Sequence, residues 1–61
     1  MEFVANEIYV DRVGKDYRYL ERRGGVLVFE SVESGDRLVL NLVGRFRWDD
    51  RDHPRDIIGK K

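Results

Sequence analysis

The sequence predicts an all-β fold: a four-stranded antiparallel meander curled into a small SH3-like or partly open barrel, followed by a charged C-terminal tail. Three observations predict it. Glycine-containing turn signals recur along the first 43 residues, at Gly14-Lys15, Gly24-Gly25 and Ser34-Gly35. The segments between them are rich in β-branched and aromatic residues, which suit a pleated, half-buried surface. The strands so defined can also be set in one register that gathers apolar residues on a shared face.

The strands expected are Glu7 to Val13, Asp16 to Arg22, Val26 to Val32 and Arg37 to Val43. Glycine supplies the positive φ that tight hairpins need. With Gly14-Lys15 and Ser34-Gly35 as two-residue loops and Arg23-Gly24-Gly25 as a three-residue loop, Val10, Tyr19, Phe29 and Leu40 line up across the sheet. Ile8, Leu27 and Leu42 form a second row on that face, and Tyr17, Ser31 and Leu38 a third. The other face carries Asp11, Arg18, Glu30 and Val39 in a row of alternating charge, a favourable cross-strand arrangement. Because side chains alternate with a period of two, a slip of one residue would mix the faces.

The second face is not fully polar. Tyr9, Leu20, Val26, Val28, Val39 and Val43 lie there in this register. A flat sheet with one wet side would leave them exposed. Two outcomes are expected: the sheet curls into a barrel, or these six residues form an interface with a second copy or another protein.

Beyond Val43, Gly44 suggests a bulge or bend. Arg45-Phe46-Arg47-Trp48 alternates, with the aromatic residues on one side and the arginines on the other. Residues 1–48 are expected to form the domain and 49–61 the tail. Within the tail, Asp52 could cap a single helical turn, with Pro54 in its first turn and Gly59 at its end. Ile57 and Ile58 would anchor it.

Length and composition bound the function. The 61 residues allow one domain, of marginal stability on its own. Without cysteine, disulfides and thiolate metal sites are excluded. That leaves an unusually well-packed core or self-association, and suits a reducing cytosol. The 12 basic and 12 acidic residues cancel, so there is no global electrostatic drive toward nucleic acid. Charged residues make up 39% of the chain, and Gln, Thr and Cys are absent, a composition that fits a thermophile or a GC-rich genome. No apolar run reaches the roughly 20 residues needed to span a bilayer, and the N-terminus lacks the basic start of a signal peptide, so a cytoplasmic location is expected. No internal repeat or low-complexity segment is apparent.

Five constellations carry side chains that bear on chemistry. Arg45, Arg47 and Trp48, with Arg18 on the sheet, could bind nucleic acid, since arginine contacts phosphates and indole stacks on bases. The plainer reading makes Phe46 and Trp48 core residues at strand spacing. Asp49-Asp50-Arg51-Asp52-His53 holds oxygen and imidazole donors suited to Mg²⁺ or Mn²⁺, but as one run in a tail it reads as a solvated, helix-capping loop. The single histidine, His53, and the only serines, Ser31 and Ser34, offer no scaffold for a triad. Gly24-Gly25 after Arg22-Arg23 lacks any phosphate-loop spacing and reads as a hairpin turn. Tyr17 and Tyr19 read as ordinary strand residues, and Tyr9 as an interface candidate.

The segment Val32-Glu33-Ser34-Gly35-Asp36-Arg37-Leu38-Val39-Leu40 resembles the Gly-Asp turn and following strand of small prokaryotic antitoxin-like and transition-state-regulator domains. The helical stretch between the two hairpins of such swapped-hairpin regulators is absent, and no functional residue is carried across. The reading is of a non-enzymatic interaction module with a regulatory or accessory role, working as a homodimer or on a protein partner, with no cofactor and no metal. The alternative is a small nucleic-acid-binding protein using the Arg/aromatic segment.

Overall fold

The computed structural model describes residues 2–49 and 51–61. Five strands form one antiparallel sheet: β1 (Ile8–Asp11), β2 (Asp16–Arg23), β3 (Val26–Ser31), β4 (Arg37–Leu40) and β5 (Ile57–Lys60). Their order is β4-β3-β2-β1-β5, so the four-stranded meander is present and a fifth strand extends it beside β1. The sheet is open, with β4 and β5 as its edges. The Cα extents, 27 × 26 × 20 Å, are too even for a flat sheet, and the strands curl over a single core.

The expected helical turn between Asp52 and Gly59 does not form; no described residue is helical. Pro54 and Arg55 make a tight turn, closed by the Asp56 N–H donating to the His53 carbonyl at 3.0 Å. The β-branched pair Ile57-Ile58 then continues as strand and pairs Ile57 with Asp11 and Lys60 with Tyr9. The tail thus supplies Ile57 to the core.

Register decides which side chains are inside. Between β2 and β3, Tyr19 faces Phe29 and Tyr17 faces Ser31, as the sequence pattern predicts. A bulge at Leu20 then shifts the pairing, so Arg23 faces Val26 and the loop shortens to Gly24-Gly25. Between β3 and β4 the pairing moves by two residues, to Phe29–Leu38 and Leu27–Leu40. An even shift preserves the faces, so Leu38 and Leu40 stay inside. Between β1 and β2 the shift is odd: Tyr9 faces Tyr17, and Val10 faces Asp16. That exchanges the faces of β1. Tyr9, at 0% exposure, is a core residue and cannot be an interface residue, whereas Ile8 and Val10 lie half-buried on the outer face.

The core comprises Tyr9, Tyr17, Tyr19, Leu27, Phe29, Leu38, Leu40 and Ile57. Phe3 closes it from above, its ring centroid 5.0 Å from that of Tyr9 and 5.5 Å from that of Phe29. The Tyr9 hydroxyl, too deep to reach bulk water, accepts the Val4 N–H at 2.7 Å and ties the N-terminal segment across the sheet. Aromatic pairs at such separations add to simple area burial.

The odd shift in β1 has a local cause. The chain reverses through five residues, Asp11 to Lys15, and not through Gly14-Lys15 alone. The Asp11 N–H donates to the Lys15 carbonyl (3.0 Å) and the Gly14 N–H to the Asp11 carbonyl (3.1 Å). Asp11 Oδ1 accepts the N–H groups of Val13 (3.0 Å) and Lys15 (2.8 Å). Gly14 sits at φ 87°. The same reversal recurs after β4. The Asn41 N–H donates to the Arg45 carbonyl (3.0 Å) and the Gly44 N–H to the Asn41 carbonyl (2.9 Å). Asn41 Oδ1 accepts from Val43 (3.0 Å) and Arg45 (3.0 Å), with Gly44 at φ 80°. Asp11-Arg12-Val13-Gly14-Lys15 and Asn41-Leu42-Val43-Gly44-Arg45 are therefore a short internal repeat, contrary to the sequence reading.

The second copy ends β4 at Leu40, so the expected strand to Val43 is cut short. Gly44 then lies directly beneath Phe3, where an added Cβ would come within 2.7 Å of Phe3 Cζ. The Ile57 N–H donates to the Gly44 carbonyl at 2.9 Å, so the crossover from β4 to β5 rests on the far side of β5.

Candidate functional site

The interface and nucleic-acid residues expected from the sequence fall into two separate regions. Leu20, Val26 and Val28 are half-buried on the outer face of the sheet, and Val39, opposite Val28, is 51% exposed. The charged row beside them is Ile8, Arg18, Glu30 and Arg37, in which Asp11 and Val39 have no place. Arg37 Nε lies 3.8 Å from Glu30 Oε2, so signs still alternate across strands. Val43, 69% exposed, is in the crossover and not on this face.

The crossover is organised by a residue that sequence reasoning missed. Asp56 is 1% exposed. Its Oδ1 accepts the Phe46 N–H at 2.8 Å; its Oδ2 accepts the His53 N–H at 2.9 Å and Arg12 Nε at 3.2 Å. Arg45 Nε lies 3.7 Å from Oδ2. Arg12 and Arg45 both also reach Asp52 Oδ1, at 3.1 and 3.0 Å. Burial pushes the Asp56 pKa up, but the Phe46 and His53 amides, with Arg12 and Arg45, outweigh it and hold the carboxyl below its ordinary range.

This hub fixes the Arg/aromatic segment. Arg45 is half-buried and engaged with Asp52 and Asp56. Asn41 Nδ2 donates to the Arg47 carbonyl at 3.2 Å. His53 stacks on Phe46 with centroids 4.0 Å apart and planes 18° apart, and Arg55 Cζ lies 5.7 Å from the same ring. Trp48 projects from the end of this arm, 75% exposed, with Arg47 exposed beside it. Phe46 and Trp48 are therefore not core residues at strand spacing. Arg18 lies on the outer face, where its guanidinium reaches the Asn6 carbonyl at 3.4 Å, so the structure does not bring it together with Arg45, Arg47 and Trp48.

The acidic run is likewise committed. Asp52 binds the two arginines, Asp49 Oδ2 is 3.6 Å from Arg51 Nε, and His53 Nδ1 accepts the Arg55 N–H at 3.1 Å. Asp50 lies outside the described residues. Among the described residues, no group of three or more His, Cys, Asp or Glu is placed to hold a metal ion, and no helix is long and apolar enough to cross a membrane. No protein-family model, curated protein or solved structure matches the chain.

Asp56 and Arg12 gave no sequence signal, since both sit in charge-rich stretches. The turn-forming Asp11 and Asn41 did: the pattern Asp/Asn-x-Val-Gly-Lys/Arg occurs twice.

Proposed function

We propose that the chain is a non-enzymatic interaction module that docks a protein partner on the crossover arm between β4 and β5. The observation that carries this is the exposure of Trp48 on an arm whose backbone is tied down by Asp56 and Asn41. An exposed indole is a typical anchor of a protein interface, and a pre-ordered arm loses little conformational entropy when it binds. Leu42 and Val43 extend the same arm with exposed apolar area. Because Trp48 is the sole tryptophan, its emission reports the arm alone. Light scattering over a dilution series, followed by emission, tests whether the partner is a second copy. Trp48→Ala should abolish that association, or capture of another protein, while leaving the fold intact. Association unaffected by Trp48→Ala refutes the arm as the docking surface.

One observation favours nucleic acid instead: Arg47 is exposed directly beside Trp48. Against it, Arg45 is engaged with carboxylates and the net charge is +0. Single-strand binding that falls steeply with salt and is lost in Arg47→Ala would select this reading.

A further inference from the structure

A cleft of about 680 Å³ opens between the β1–β2 turn, the start of β4 and the Pro54-Arg55 turn. Val13, Leu38 and Pro54 supply apolar wall; Glu33 and Asp36 supply negative charge at the rim, and Lys15, Arg37 and Arg55 positive charge. Asp11 and Tyr17 also line it, and both are buried. Asp11 Oδ1 is fully used by the turn, but its Oδ2, closed to solvent just behind the cleft wall, has no hydrogen-bond partner among the described residues.

The Asn41 turn shows what this means. It makes the same four hydrogen bonds with an amide side chain, and the spare Nδ2 donates to the Arg47 carbonyl, six residues on. The turn itself therefore does not require a carboxylate at position 11. Six residues on from Asp11 stands Tyr17. Burial first, and then the Asp11 charge, push the Tyr17 pKa up, against the opposing Arg55, so its hydroxyl keeps its proton. What Asp11 offers beyond an asparagine is a buried, negatively charged acceptor, a group that is stable only when a donor meets it.

We propose that this cleft takes a guanidinium or ammonium group carried on an aliphatic stem, with the cationic head on Asp11 Oδ2 and the stem along Val13 and Leu38. A flexible apolar stem with a charged tip fits a cleft with an apolar wall and a buried carboxylate behind it, in which Glu33 and Asp36 offset the rim cations Lys15, Arg37 and Arg55. The group can belong to an arginine or lysine of a docking protein or to a free polyamine. The cleft and the Trp48 arm share no lining side chain, so either can fail without the other.

The test is amide and aromatic NMR of the full chain, titrated separately with N-acetyl-arginine amide, spermidine and uncharged N-acetyl-norleucine amide. Saturable shifts at Val13, Lys15 and Tyr17 are expected with a cationic ligand and not with the norleucine control. The tighter of the two cations names the source. Asp11→Asn keeps the turn's acceptor and should weaken binding about tenfold or more. Val13→Lys, at an exposed site, places a tethered ammonium over the cleft and should weaken binding similarly even if Asp11→Asn does not fold. Absence of saturable shifts with both cations, equal shifts with norleucine amide, or undiminished binding in the folded variants would overturn the proposal.

Discussion

The Asp11 and Asn41 turns have the same backbone bonds and opposite outcomes. After Lys15 the chain runs back along β1 as β2, and its Tyr17 and Tyr19 enter the core. After Arg45 it leaves β4 altogether. The difference lies beyond the turn. The Arg47 carbonyl, the group that could extend the ladder with β4, is already bonded by Asn41 Nδ2, and Asp56 holds the neighbouring Phe46 N–H away on the β5 side. A turn fixes direction only locally; a buried side-chain acceptor elsewhere in the chain decides whether a hairpin follows.

The comparison breaks most completely at Asp56. Asp56→Ala leaves Arg12 and two amides without their acceptor and should cost about 3 kcal/mol or more. A 61-residue chain has roughly 3–9 kcal/mol in all, so urea melts followed by circular dichroism should show a largely unfolded or barely cooperative protein. The pH dependence follows from the sign of the shift. Because the folded carboxyl titrates below its unfolded value, its stabilisation is complete above an ordinary aspartate pKa of about 4 and is lost as pH falls through the lower, folded value. Acid melts of Asp56→Asn should have lost that portion of the pH dependence.

The two turn glycines give the next effect. Both have positive φ, so alanine at either should cost about 1–2 kcal/mol in backbone strain. An added Cβ at Gly14 meets nothing within 4 Å, whereas at Gly44 it collides with Phe3. Thermal melts should therefore rank Gly44→Ala as clearly more damaging than Gly14→Ala. Equal losses would mean that Phe3 gives way freely.

A reciprocal exchange sharpens the contrast further. Asn41→Asp sets a carboxylate oxygen against the Arg47 carbonyl and should destabilise by about 1 kcal/mol. Asp11→Asn removes an unpaired buried charge while keeping the turn, so its melting temperature should be unchanged or raised. The smallest change is expected from Trp48→Ala, which should stay within about 0.5 kcal/mol in the same melts because the side chain touches mostly water.

Much of the sheet was legible because glycine punctuation and strand periodicity act locally. The Tyr19–Phe29 pairing followed from them, and the two-residue slip at β4 did no harm because it kept the parity of the faces. The β1 faces differ from the sequence pattern because the reversal takes five residues, Asp11 to Lys15, where a two-residue Gly14-Lys15 loop is expected, and this shifts the β1–β2 register by an odd number. A carboxylate whose oxygen is met by two backbone amides can be buried, and Asp11 carries Tyr9 inward with it. The strand β5 was invisible because four residues flanked by charge carry little periodicity, and Ile57 gains its place only against Asp11 across the chain. The crossover arm was misread for a related reason. Its Phe46–Trp48 alternation looks like a strand, but hydrogen bonds from Asn41, six residues before Arg47, and Asp56, ten residues after Phe46, bend it away, and alternation carries no trace of either.

The strand order also governs how the molecule is built during synthesis. β1 lies between β2, the next strand along the chain, and β5, which is made only after β2, β3 and β4. Until Ile57–Lys60 emerge, a nascent chain can zip up its hairpins yet keeps one flank of β1 bare, with Arg12 lacking the carboxylate that later receives it. Closure of the sheet around β1 therefore waits on β5, and a nascent chain stalled short of it would carry a sticky flank that the folded sheet hides.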